Sequence, residues 1–143
     1  MNILIPMAGA GSRFTNEGYK VSKPLILVNK KPMVVEATHH LPKSKNHIYI
    51  CKKKHLEDDK IDVEIKKFYP KAKFITIDYL TEGQASTCLL AKDEINNNEE
   101  LIIGACDNGM IWNKKKFLLE KNETDCLVWT FRNNVTVVNN PES

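Results

Sequence analysis

Gly9 and Gly11 alternate with Ala8, Ala10 and Ser12, Arg13 follows at once, and Lys23-Pro24 comes a little further on. A loop this poor in side chains lets backbone N–H groups close around an anion, because no bulky Cβ substituent blocks the approach. Arg13 adds a planar fork of donors suited to phosphate, and Lys23 a compact positive charge. A bare loop followed by two cations is the chemistry of a triphosphate grip. Two other loops of this kind fit less well. A dinucleotide-binding loop expects Gly-x-Gly-x-x-Gly and an acid at the end of the second strand. Here Phe14 stands at the last Gly position, and Cys51-Lys52 stands where the acid should be. The Gly-Lys-(Ser/Thr) of a P-loop is absent. A plain structural turn is the remaining alternative.

These residues need elements that hold them together. Apolar runs of strand length are expected to form strands over 2–7, 47–51, 73–78, 101–106 and 125–131, with a last one over 135–138. Residues 25–28 form a short extended piece. Pro32 suits the first turn of a helix running to His40, and Pro42 stops it. Residues 56–69 carry Ile61, Val63, Ile65, Phe68 and Tyr69 among charges, an amphipathic helix. A further helix is expected over 84–95, and Asn113 can cap a short one through Leu119. Alternation of this kind predicts an α/β fold, a Rossmann-like three-layer α/β/α arrangement with a mostly parallel sheet, in one domain over 1–143. In such sheets ligands bind beyond the carboxyl ends of the strands. The loop at 8–12 follows the first strand, 81–84 the third and Asp107 the fourth, so the topology draws them to one crevice.

The Gly9, Gly11, Ser12, Arg13, Phe14 loop with the later Lys23-Pro24 resembles the start of the sugar-phosphate nucleotidyltransferases. Thr81-Glu82-Gly83-Gln84-Ala85-Ser86-Thr87 is similar to that family's base-recognition turn. Leu101-Ile102-Ile103-Gly104-Ala105-Cys106-Asp107 is similar to its strand ending in a metal-binding aspartate. The resemblance implies attack of a phosphate oxygen on the α-phosphorus of a nucleoside triphosphate, with loss of pyrophosphate. In it, the backbone of Ala8, Gly9, Ala10, Gly11 and Ser12 holds the triphosphate, Arg13 neutralises its β and γ oxygens, and Lys23 reaches the α-phosphate. Asp107 holds Mg²⁺, a hard ion suited to carboxylate and phosphate oxygens. Gly83 and Gln84 contact the base, since Gln offers both a donor and an acceptor. The turn at 83–87 is most similar to the bacterial surface-polysaccharide branch, which favours CTP or UTP and a small phosphate acceptor. The residues alone leave other roles open. Asp107 could cap a turn with Asn108-Gly109, Gln84 could return to its own helix start, and Thr87 could simply face the sheet.

Composition narrows the partners. A net charge of +3 is not the footprint of a nucleic-acid binder. Lysines 52–54 and 114–116 lack interleaved aromatics and are read as solvated helix ends or loops. No apolar stretch approaches the roughly 20 residues needed to span a bilayer, and residues 3–7 are too short for a secretory h-region. No membrane partner is expected, and Cys51, Cys88, Cys106 and Cys126 are read as buried thiols in a reducing cytoplasm. The four histidines show no metal-ligand spacing. The resemblance covers only about the first half of a family catalytic domain, whose roughly one hundred further residues carry acceptor-binding groups and a second metal-binding aspartate. Three readings stay open: a fragment, a shortened gene product, or a chain whose site is completed by a partner, a homo-oligomer among them. A nucleotide-binding module without chemistry is the alternative from another functional class.

Overall fold

The structure, a computed structural model, describes residues 1–130. In chain order the elements are β1 (Asn2–Pro6), α1 (Ser12–Asn16), a 3₁₀ turn (Lys23–Leu25), β2 (Leu27–Val28), β3 (Lys31–Pro32), α2 (Met33–His39) and β4 (Asn46–Lys52). After them come α3 (Lys53–Glu57), α4 (Ile61–Lys66), β5 (Lys73–Ile77), α5 (Gln84–Leu89), α6 (Lys92–Ile95), β6 (Leu101–Ile103) and α7 (Lys114–Glu123). Residues 1–110 make one compact unit, and a second begins at Ile111.

In the first unit, four strands form a parallel sheet in the order β5-β4-β1-β6. β2 and β3 form a separate antiparallel pair. Strand parity divides the core in two. Leu4, Ile48, Ile50, Ile75 and Ile77 share one face, which Cys88 and Ala91 of the α5–α6 segment cover. Ile3, Ile5, Tyr49 and Cys51 share the other and are completely buried. That face looks toward α2 and α4, whose Val34, Val35, Ile61 and Ile65 are also buried. The chain is therefore the α/β three-layer fold expected, with an all-parallel central sheet.

Several elements differ from expectation for local reasons. The single helix expected over 56–69 is two, α3 and α4, broken where Lys60 takes a left-handed conformation (φ 53°) and its carbonyl accepts the N–H groups of Val63 and Glu64. The amphipathic pattern itself holds, with Ile61 and Ile65 buried and Val63 half exposed. The helix over 84–95 also divides: Leu90 and Ala91 donate to Thr87 and Cys88 in tight three-residue turns, which lets Ala91 bury itself completely. Residues 12–14, read as part of the loop, open α1.

In the second unit Asn113 caps α7 as expected, accepting from the Lys116 N–H at 3.0 Å, and the helix runs on to Glu123. Phe117 packs against Trp112 and Trp129, ring centroids 5.2 and 5.6 Å away. The strand expected over 125–131 is not formed at 125–130, where Cys126 and Val128 are exposed. An apolar run becomes a strand only against a ladder partner, and none pairs with it among the described residues. Phe131 and the strand expected over 135–138 lie outside the described residues. Cys126 is thus not a buried thiol, while Cys51 and Cys88 are.

Candidate nucleotide site

The carboxyl ends of the four strands open onto a cavity of about 750 Å³, lined entirely from the first unit. That volume falls in the range of small-ligand sites. β1 delivers Met7 and the loop from Ala8 to Gly11 to its floor. Met7 still donates to Ile50 O at 2.8 Å, so the chain leaves the sheet at Ala8. Gly11 is left-handed (φ 65°), a conformation Gly adopts without strain. Its carbonyl accepts the N–H groups of Phe14 and Thr15 and so starts α1. The N–H groups of Ala8, Gly9, Ala10 and Gly11 donate to nothing among the described residues. Four unpaired donors in one loop form the concavity that an anion fills.

Lys23 is held at the mouth of this loop by its own short turn. Pro24 is buried and fixes the 3₁₀ segment. The Lys23 ammonium lies 5.4 Å from the Phe14 ring centroid and donates to Asp107 Oδ2. β6 brings Asp107 there. Gly104 extends the ladder by donating to Leu4 O at 2.9 Å, and a Cβ on it would sit 2.7–2.8 Å from Leu41 and Ile5 methyls. Asp107 spends its carboxylate on Lys23, which leaves the turn-cap reading without a bond. Cys106 beside it is sequestered: burial, then the Asp107 charge, push its thiol up to about 11, against an opposing pull from Lys23.

The far wall comes from β5 and α5. The Thr87 hydroxyl donates to Gly83 O at 3.0 Å and lies 2.5 Å from the Thr81 hydroxyl. Thr87 therefore does more than face the sheet, because it locks the turn that presents Gly83 and Gln84. Gln84 is exposed and lines the cavity, and its side chain makes no hydrogen bond among the described residues.

Of the residues the sequence pointed to, the cavity gathers Ala8, Gly9, Ala10, Gly11, Lys23, Gly83, Gln84 and Asp107. Ser12 and Arg13 stand exposed on α1, outside its lining. Lys20, Lys52 and Lys54 line it and were not foreseen, nor were His55, Asp58 and Asp59. Lys53 behaves as the solvated charge expected, pairing with Glu57 at 3.5 Å, while Lys54 pairs with Asp58 at 3.9 Å at the cavity's edge. Lys52 had a signal of another kind, its strand parity with Ile48 and Ile50. Lys20 had none.

The residues present fit Mg²⁺ in one specific way. Among the described residues no three His, Cys, Asp or Glu side chains converge to cage a metal. Mg²⁺ commonly takes one or two carboxylates and completes its shell with water and substrate phosphates. Asp107, lining the same cavity as the unpaired loop 8–11, matches that donor set.

A parallel four-stranded sheet with helices on both faces, and a bare loop, a lysine and an aspartate at its carboxyl edge, defines an α/β fold with its cavity at the strand ends. Among solved structures the chain is similar to a protein assigned as a glucose-1-phosphate thymidylyltransferase from Bacillus anthracis. The TM-score is 0.68 at 20% identity, over 87% of this chain and 51% of that one. It is also similar to a nucleoside-diphosphate-sugar pyrophosphorylase from Vibrio cholerae RC9, with TM-score 0.59 at 16% identity, over 81% and 52%. The fold is thus that of sugar-phosphate nucleotidyltransferases, and the chain spans about half the length of each neighbour. No family model and no curated protein matches the sequence.

Proposed function

We propose that the cavity binds a nucleoside triphosphate as its Mg²⁺ complex, with CTP or UTP preferred. The chain then serves nucleotidyl transfer to a small phosphate acceptor, for cytoplasmic activation of surface-polysaccharide precursors. The observation that carries this reading is the loop 8–11, whose four N–H groups have no partner among the described residues, lining the same cavity as Lys23, Asp107 and Gln84.

In the reaction an acceptor phosphate oxygen forms a bond to the α-phosphorus. The bond from that phosphorus to the bridging oxygen breaks, and pyrophosphate leaves with the electron pair. The protein's part is positioning and charge neutralisation. The loop N–H groups hold the polyphosphate, Lys23 sits at the α-phosphate, and Gln84 meets the base edge. Arg13, on α1 beside the loop, is assigned to the β and γ oxygens. Mg²⁺, when bound, supplies further charge neutralisation held by Asp107.

Isothermal titration with CTP, UTP, ATP and GTP, with and without Mg²⁺, tests the reading. Mg²⁺-dependent binding of a pyrimidine nucleotide, weakened about ten-fold or more in Lys23→Ala and stripped of its Mg²⁺ dependence in Asp107→Asn, is the expected result. Failure of the folded chain to bind any of the four would sink it. A second reading, binding without turnover, is favoured by the lack, among the described residues, of any group of three His, Cys, Asp or Glu side chains placed to hold a metal. Pyrophosphate release in the presence of sugar 1-phosphates or phosphocholine separates the two.

A further inference from the structure

Lys52 ends β4, and strand register decides which way it faces. It pairs with Ile77 and follows Ile48 and Ile50 on the face that Cys88 and Ala91 cover. Its side chain therefore emerges where α5 begins, and it lines the cavity together with Thr81, Gln84 and Thr87. It is half-buried, and its ammonium has no hydrogen bond and no ion pair among the described residues. Its neighbours Lys53 and Lys54 both have carboxylate partners. Lys54, His55, Asp58 and Asp59 line the same end of the cavity, yet none of them bonds the Lys52 ammonium, which leaves it a donor that a ligand can satisfy.

The sheet order fixes which part of a nucleotide Lys52 would meet. The unpaired loop follows β1 and Asp107 follows β6, so the phosphate end lies over one side of the sheet. β4 and β5 are the other two strands, and Lys52 and Gln84 mark their end of the cavity. We infer that Lys52 reads the C2 carbonyl of a pyrimidine base, next to Gln84; this rests on the nucleotide-binding reading above. Lysine carries three donors and no acceptor. Cytosine and uracil both present an oxygen at C2. Guanine presents an amino group there, which would leave two donors opposed, and adenine presents only C–H. The Gln84 amide turns to suit either pyrimidine at N3 and C4, since it carries both a donor and an acceptor. Lys52 thus separates pyrimidines from purines without separating cytosine from uracil.

The test compares wild type with Lys52→Met and Lys52→Arg, titrated with Mg²⁺ and CTP, UTP, GTP or inorganic tripolyphosphate. Wild type is expected to bind CTP and UTP similarly and GTP about ten-fold more weakly. Lys52→Met should lose about ten-fold for both pyrimidines and nothing for tripolyphosphate. The unchanged tripolyphosphate affinity also reports that the variant is folded. Lys52→Arg should retain the preference. A Met variant that weakens tripolyphosphate as much as nucleotides makes Lys52 a phosphate ligand and overturns the inference alone. So does a Met variant that changes nothing, or a wild type that prefers GTP. A wild type that binds neither tripolyphosphate nor any nucleotide overturns the nucleotide-binding reading, and this inference with it.

Discussion

Lys23 and Asp107 bring two of the motifs that the sequence picks out into direct side-chain contact. Both are partly exposed, with 25% and 39% of their side chains accessible. A pair that open contributes about 1 kcal/mol or less to stability. Asp107→Asn should therefore leave the urea midpoint almost unmoved while removing the Mg²⁺ response, and a large midpoint shift would recast the pair as structural. Histidine gives the opposite case. Burial lowers the pKa of His47, which packs 4.2 Å from the Tyr69 ring, and burial first of all also lowers that of His55. Here the folded state refuses a proton that the unfolded chain accepts. Stability should hold above about pH 7 and fall as the pH drops below the unfolded histidine value of about 6.5. His47→Gln should flatten that fall; a profile identical to wild type would remove His47 from the account. At this scale the sequence was most legible where one segment carries the whole signal, as at 9–11, Lys23 and Asp107. Lys52 was hidden because its place in the cavity depends on which face of a sheet it leaves, and Arg13 stands on α1 outside the cavity lining because adjacency in sequence does not say which way a helix turns a side chain.

The elements were legible in kind and less so in extent. Periodicity correctly marked 61–65 as half-buried helix, but it could not show that Lys60 would turn left-handed and restart it. Likewise an apolar run at 126–131 carries the composition of a strand, yet composition cannot supply the neighbour it must pair with. β6 shows how closely an element positions the site. It has three residues, and Gly104 continues its ladder against β1 with no room for a side chain. Gly104→Ala should cost about 1–3 kcal/mol through overpacking against Leu41 and Ile5. It should also weaken Mg²⁺-dependent nucleotide binding, because Asp107 hangs from this strand. Wild-type stability in that variant, read from urea unfolding, would show that the two methyls yield freely.

For the chain as a whole, the order of strands and helices was enough to predict a parallel sheet with its crevice at the carboxyl ends, because few topologies satisfy that alternation. Among the described residues no helix is long and apolar enough to cross a membrane. The distance between Lys23 and Asp107 along the chain, 84 residues, has a consequence for what the cleft can sense. Empty, it is its own counter-ion: a free cation arriving at Asp107 must displace Lys23, and a free anion arriving at Lys23 must displace Asp107. A ligand that brings both charges together exchanges each partner for a new one at no electrostatic loss. Under the reading proposed above, the cleft would work as a coincidence detector, mute to Mg²⁺ or phosphate alone and responsive to their complex. Mn²⁺ titrated without nucleotide should bind weakly to wild type and more tightly to Lys23→Gln, and equal affinities would mean that the two charges do not guard one another.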